Sequence, residues 1–158
     1  MKTSDIPGAG LGLFLIESVK KGERIAVYSG QELDSDQVSM SNSEYIVQIS
    51  KNVFLDSKGT EELGNGKFIN CGRKSRRKIN SRFASGTTYN YNKQFKMKWI
   101  SIFAECDIKA SVSQPVEILV DYGTEYWKYR DDNPSGRVIS PGSHNIQVVQ
   151  LSPTVYKL

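Results

Sequence analysis

Apolar residues along this chain come in short runs, not in long helical stripes. Branched and aromatic side chains gather at residues 14–18, 23–29, 45–50, 53–56, 83–91, 99–104 and 116–122. Each run has the length of a strand. Turn formers separate them, among them Lys21-Gly22, Ser57-Lys58-Gly59 and Gly64-Asn65-Gly66. Such runs between such breaks predict strands. A short helix is predicted over residues 34–40, with Asp34 or Ser35 as its N-cap, and a further helical turn over 124–129. Many short strands with little helix predict a mostly β fold of several small sheets.

The pattern changes at Lys128. Pro134, Gly136, Pro141, Gly142 and Pro153 punctuate the remaining stretch, so residues 128–158 read as a loop-rich tail. The expected organisation is one domain over 1–127 and this tail over 128–158. A chain of 158 residues suits a single domain, and its 38% hydrophobic content suits a packed core and not disorder.

Composition then narrows the chemistry. A formal charge of +4 permits an acidic partner such as chromatin without requiring one. Cys71 and Cys106 are the two cysteines, too few for a disulfide framework or a zinc knot. They read as buried reduced thiols, and no metal site is expected. No run reaches the roughly 20 apolar residues of a membrane span. Residues 1–12 carry no signal-peptide stretch, so a soluble intracellular protein without membrane contact is expected. The single histidine, His144, sits among Ser, Gly and Asn, which gives a histidine-centred hydrolase little support.

Four segments stand out as candidate chemistry. In Gly8-Ala9-Gly10-Leu11-Gly12-Leu13-Phe14 the glycines let the backbone come close to a ligand. No strand precedes it and no long helix follows, so it is not a dinucleotide fingerprint; by itself it also reads as a plain turn. Tyr28-Ser29-Gly30-Gln31 ends a strand in a turn. In Gly64-Asn65-Gly66-Lys67-Phe68-Ile69-Asn70-Cys71-Gly72, Asn70 offers both a donor and an acceptor and can fix ligand and backbone together. An Asn-rich turn is the plain alternative. The segment from Glu117 to Trp127 delivers Tyr122 into a glycine turn followed by an aromatic pair, or simply packs aromatics in a core.

Taken together, in this order and spacing, these segments resemble the SET domain family of protein lysine methyltransferases over residues 6–127. Gly10-Leu11-Gly12-Leu13-Phe14 resembles the family's Gly-x-Gly-x-Phe, and Tyr28-Ser29-Gly30 its Tyr-x-Gly. Phe68-Ile69-Asn70 is similar to the start of Phe-Ile-Asn-His-Ser-Cys. Glu117-Ile118-Leu119 with Asp121-Tyr122-Gly123 resembles Glu-Leu-x-x-Asp-Tyr-Gly, and Ile102-Phe103-Ala104 with Asp107-Ile108 the segment before it. The chain departs at Cys71-Gly72-Arg73, where the family has His-Ser-Cys, and at Gln31, where a glutamate is common. The first departure, Asn80 further on, and the Ile6-Pro7-Gly8 opening are similar to PR-type SET domains. No cysteine follows Cys106, so the zinc-binding post-SET cluster of many relatives is not expected.

The resemblance implies a SET β-fold with a C-terminal knot-like crossing, in which residues 116–122 thread beneath the loop near Asn70. It implies an S-adenosyl-L-methionine-dependent protein-lysine N-methyltransferase, with a histone tail as first substrate and a nuclear, otherwise cytoplasmic, location. Tyr122 would be the catalytic tyrosine, with Tyr45 lining the same site. The backbone of Gly10, Leu11 and Gly12 would hold the amino-acid end of the cofactor, with Tyr45, Asn70 and Cys71 completing its pocket. Val120, Tyr28 and Phe103 would line the substrate-lysine channel. Val120, small and two residues before Tyr122, would leave room for more than one methyl. Tyr45 also reads as a core aromatic and Val120 as strand packing. The run Arg73-Lys74-Ser75-Arg76-Arg77-Lys78 reads as a nucleosome or DNA contact, or as a solvated loop. A catalytically silent PR-type interaction module is the alternative to the enzyme.

Overall fold

The computed structural model describes residues 1–43, 45–50, 52–59, 64–73, 75–92, 97–124 and 126–127. The expected tail over 128–158, His144 within it, Lys74 of the basic run, and part of the expected helical turn over 124–129 lie outside the described residues. Residues 124, 126 and 127 are helical.

Two short strands open the chain, β1 (Lys2–Thr3) and β2 (Leu11–Gly12), followed by β3 (Phe14–Leu15) and the long β4 (Arg24–Leu33). Next come helix α1 (Ser35–Met40), β5 (Ile46–Ser50), β6 (Val53–Asp56) and β7 (Lys67–Cys71). The rest are β8 (Ser81–Asn92), β9 (Met97–Ala104), β10 (Val116–Glu117) and β11 (Leu119–Val120). A five-stranded antiparallel sheet runs β5-β6-β4-β9-β8. Three two-stranded pieces accompany it: β1-β2, β10-β3 and the parallel pair β11-β7. The fold is therefore mostly β, built from small sheets with little helix. No described helix is long and apolar enough to cross a membrane.

The hydrophobic pattern explains the layering. Along β9, Ile100, Ile102 and Ala104 turn to the core, because strand side chains alternate faces. Tyr28 and Ala26 of β4 stand opposite them in register and enter the same core. Helix α1 begins as Asp34 predicts. The Gln37 N–H donates to Asp34 Oδ1 at 2.9 Å, and the Asp34 N–H donates to Gln37 Oε1 at 2.9 Å. This reciprocal cap satisfies two orphan donors. The helix turns Val38 onto Ile46 and Phe54, a small second core.

Strand β4 runs past the expected end at Ser29, through Gly30 to Leu33. Gly30 lies directly on the β6 backbone, where a Cβ would meet the Asp56 carbonyl oxygen at 2.6 Å. The glycine that looked like a turn is a close approach between strands instead.

The expected strand over 116–122 is split at Ile118, and its two halves serve different partners. Val116 pairs with Leu15, and Glu117 with Phe14. Leu119 and Val120 pair with Asn70 and Cys71. Gly72 continues the pairing with β7, and Asn80 and Ser81 hold the segment from the other side. The Gly72 N–H donates to the Val120 carbonyl at 3.0 Å, and the Asn80 N–H to the Leu119 carbonyl at 3.1 Å. Asn80 Nδ2 donates to the Glu117 carbonyl at 2.8 Å, and its Oδ1 accepts the Leu119 N–H at 2.9 Å. Ser81 Oγ donates to the Leu119 carbonyl at 2.9 Å. Residues 117–120 thus run between β7 on one side and Asn80–Ser81 on the other, the knot-like crossing.

Candidate active site

Strand β7 organises the site. Alternation sends Lys67, Ile69 and Cys71 to one face and Phe68 and Asn70 to the other. From one face Asn70 Nδ2 donates to the Leu11 carbonyl at 3.0 Å and to Glu117 Oε1 at 3.3 Å. Both partners are acceptors, so the amide nitrogen must face them. Asn70 Oδ1 accepts no hydrogen bond among the described residues and stays available beside the glycine turn. The other carbonyl of that turn, Gly10, accepts the Ser4 N–H at 2.8 Å. Gly12 is buried, and a Cβ there would overlap Glu117 Oε1. Here the missing side chain makes room for a carboxylate. Leu11 itself is half-exposed.

The Ile69 carbonyl accepts the Tyr122 hydroxyl at 2.5 Å. Tyr122 is buried, and its ring meets Tyr126 edge-on at 4.8 Å. Cys71 Sγ accepts the Tyr122 N–H at 3.3 Å and Trp127 Nε1–H at 3.4 Å. One thiol anchors both aromatics. Val120 is fully buried in the same core as Tyr122.

Tyr45 precedes β5 and is partly exposed. Its carbonyl accepts the Tyr28 hydroxyl at 2.5 Å and the Ser57 N–H at 2.9 Å. Lys67 Nζ lies 5.3 Å from the Tyr45 ring centroid and 5.7 Å from that of Phe68. Lys67 itself is buried. Tyr28 is wholly enclosed, and burial holds its phenol far above the ordinary tyrosine range, against the lowering effect of Ser57. Its hydroxyl fixes the Tyr45 backbone.

Through β7, then, the structure brings Gly10, Leu11, Gly12, Asn70, Cys71, Val120 and Tyr122 together, and Lys67 links the strand to Tyr45. Phe103 is not among them. It sits on the face of β9 opposite Ile102, beneath the Arg82 guanidinium at 5.5 Å.

No family model and no curated protein sequence matches this chain significantly. Among solved structures, it is similar to a candidate histone methyltransferase of Plasmodium falciparum, with a TM-score of 0.51 and 20% identity. The match covers 75% of this chain and 88% of the other. This is a SET-type fold. At that identity the likeness extends to the fold.

Three residues around β7 had no role assigned from sequence: Glu117, Asn80 and Lys67. Each carried a signal. Glu117 is a charge inside the apolar run from Val116 to Val120, and buried charges need partners. Asn80 stands just before a strand, and Lys67 directly before Phe68-Ile69.

The basic run divides in two. Arg73 Nη1 donates to Thr124 Oγ1 at 3.0 Å and lies 3.6 Å from Asp121. Arg77 pairs with Asp5 at 3.1 Å. Both are struts within the chain. Arg76, with φ of 60°, and Lys78 have no partner among the described residues and point their charge outward.

Proposed function

We propose that this chain is an S-adenosyl-L-methionine-dependent protein-lysine N-methyltransferase. The observation that carries the reading is the convergence on β7 of the Gly10-Leu11-Gly12 turn, Asn70 and Tyr122. The residues fit the cofactor. Asn70 Oδ1 is an unused acceptor suited to an ammonium group, and it stands beside a turn that bears no bulky side chain. Gly10, Leu11, Gly12, Asn70, Cys71 and Tyr45 would hold the molecule. When bound, it supplies an activated methyl on a sulfonium.

The chain's own residues do the rest. A lysine amine must arrive neutral to attack, and its reference pKa is about 10.4, so an apolar approach lowers it. Buried Val120 and the ring of Tyr122 supply that environment. Tyr122, held through the Ile69 carbonyl, would orient the amine with its hydroxyl. Holding reactants in line contributes on the order of 7–11 kcal/mol to such a reaction. The substrate proposed is a histone tail, because the structural relative is named for that activity and because Arg76 and Lys78 suit nucleosomal phosphate. The location proposed is the nucleus.

Calorimetry tests the reading. S-adenosylhomocysteine should bind the purified protein without added metal, and Asn70→Ala should weaken it by roughly 1–3 kcal/mol, the usual effect of an unpaired polar group. No binding and no rise in melting temperature at millimolar ligand would sink the enzyme. The PR-type departure at Cys71-Gly72-Arg73 favours a second reading, a silent interaction module, and that outcome would select it.

The substrate side has its own check. Arg76→Ala with Lys78→Ala should weaken nucleosome binding and lower the slope of log affinity against log salt by about 1–2. An unchanged slope would reduce the run to a solvated loop.

A further inference from the structure

Glu117 is a buried carboxylate with no ion pair among the described residues. Its charge is met by hydrogen bonds alone. Oε1 accepts Ser4 Oγ–H at 2.5 Å and Asn70 Nδ2–H at 3.3 Å, and Oε2 accepts the Asp5 N–H at 3.0 Å. A well-packed apolar residue would hold a core at least as well, so stability alone does not explain a charge here. The donors point to another account, since each belongs to the surroundings of the glycine turn. Ser4 and Asp5 continue β1, which pairs with Leu11 and Gly12. Asn70 grips Leu11 directly. Gly12 leaves the space that Glu117 Oε1 fills. On the outside, Arg77 Nη1 donates to the Asp5 carbonyl at 3.3 Å and pairs with its carboxylate.

Resting on the proposed function, we infer that Glu117 is a positioning residue for the cofactor. It clasps the N-terminal strap, residues 2–5, to the glycine turn and to Asn70, so that the turn is set before ligand arrives. The carboxylate is suited to this because it accepts at both ends. An amide accepts at one end only, so Glu117→Gln sets a donor against either Asp5 N–H or the Asn70 amide.

The test uses the full chain with Glu117→Gln, Ser4→Ala, and Val38→Ala as a destabilised control from the second core. Hydrogen exchange at residues 10–12 in free protein reads the clasp directly, and calorimetry with S-adenosylhomocysteine reads its effect. Exchange there should quicken in Glu117→Gln and less in Ser4→Ala, and not in Val38→Ala. Affinity should fall on the order of 10–100-fold in Glu117→Gln, the size of a lost charge-assisted set. If methyl transfer is measured, KM for cofactor should rise while kcat changes little. Exchange and affinity at wild-type level in both clasp variants would overturn the proposal. So would equal quickening in Val38→Ala. Should Glu117→Gln fail to fold, Ser4→Ala decides by the same readings. Wild-type protein that binds no cofactor would defeat the proposed function, while exchange would still decide whether the clasp sets the turn.

Discussion

Tyr122→Phe should nearly abolish methyl transfer while cofactor affinity stays close to wild type. The substitution removes one oxygen and leaves the ring against Tyr126, so packing persists. The lost bond to the Ile69 carbonyl should lower stability by about 1 kcal/mol. Loss of one positioned polar group at a reacting centre lowers rate on the order of 10²–10³. The deficit belongs in kcat, because an interaction made with the reacting amine is strongest as the methyl moves. Labelled cofactor with a core histone mixture measures turnover, and calorimetry measures affinity. Near wild-type turnover would make Tyr122 a packing residue and remove the centre of the proposed site.

The largest effect on stability is expected at Asn80. Its side chain serves the Glu117 carbonyl and the Leu119 N–H, both inside the crossing. Asn80→Ala leaves a buried donor and a buried acceptor unpaired, at roughly 1–3 kcal/mol each. That sum is a large share of the about 5–15 kcal/mol that holds a domain folded. The urea midpoint should fall steeply with little change in slope. A shift worth under about 0.5 kcal/mol would mean that water replaces the amide, and that the crossing is held by its backbone bonds alone.

How far sequence led depends on where each element draws its support. Strand β6 and helix α1 were legible because their signals are local: a branched run between turns, and Asp34 three residues before Gln37. Strand β7 was not. Lys67 to Cys71 follows Gly64-Asn65-Gly66 and has a lysine and an asparagine within it, which suggests a turn. It is a strand because Leu119 and Val120 come to it from far along the chain. The same distance hid Glu117, whose donors lie near the N-terminus. Tyr122 and Asn70 stand in the motifs quoted above, whereas the place of Tyr28 gave no such signal. A tyrosine at a strand end gives no sign that its hydroxyl will be enclosed and bound to the Tyr45 carbonyl.

The crossing of residues 117–120 between β7 and Asn80–Ser81 also sets an order of events for a newly made chain. The five-stranded sheet needs nothing beyond Ala104. The parallel pairing of β11 with β7 needs the chain to have reached Val120 and the loop to close over it. Contacts between distant segments form late, because closing a long loop is entropically unfavourable until they reward it. Tyr122 emerges from that crossing and takes its place only once it is made. A chain halted earlier can own a finished sheet and still lack Tyr122 in position, so the proposed activity would report that folding is complete.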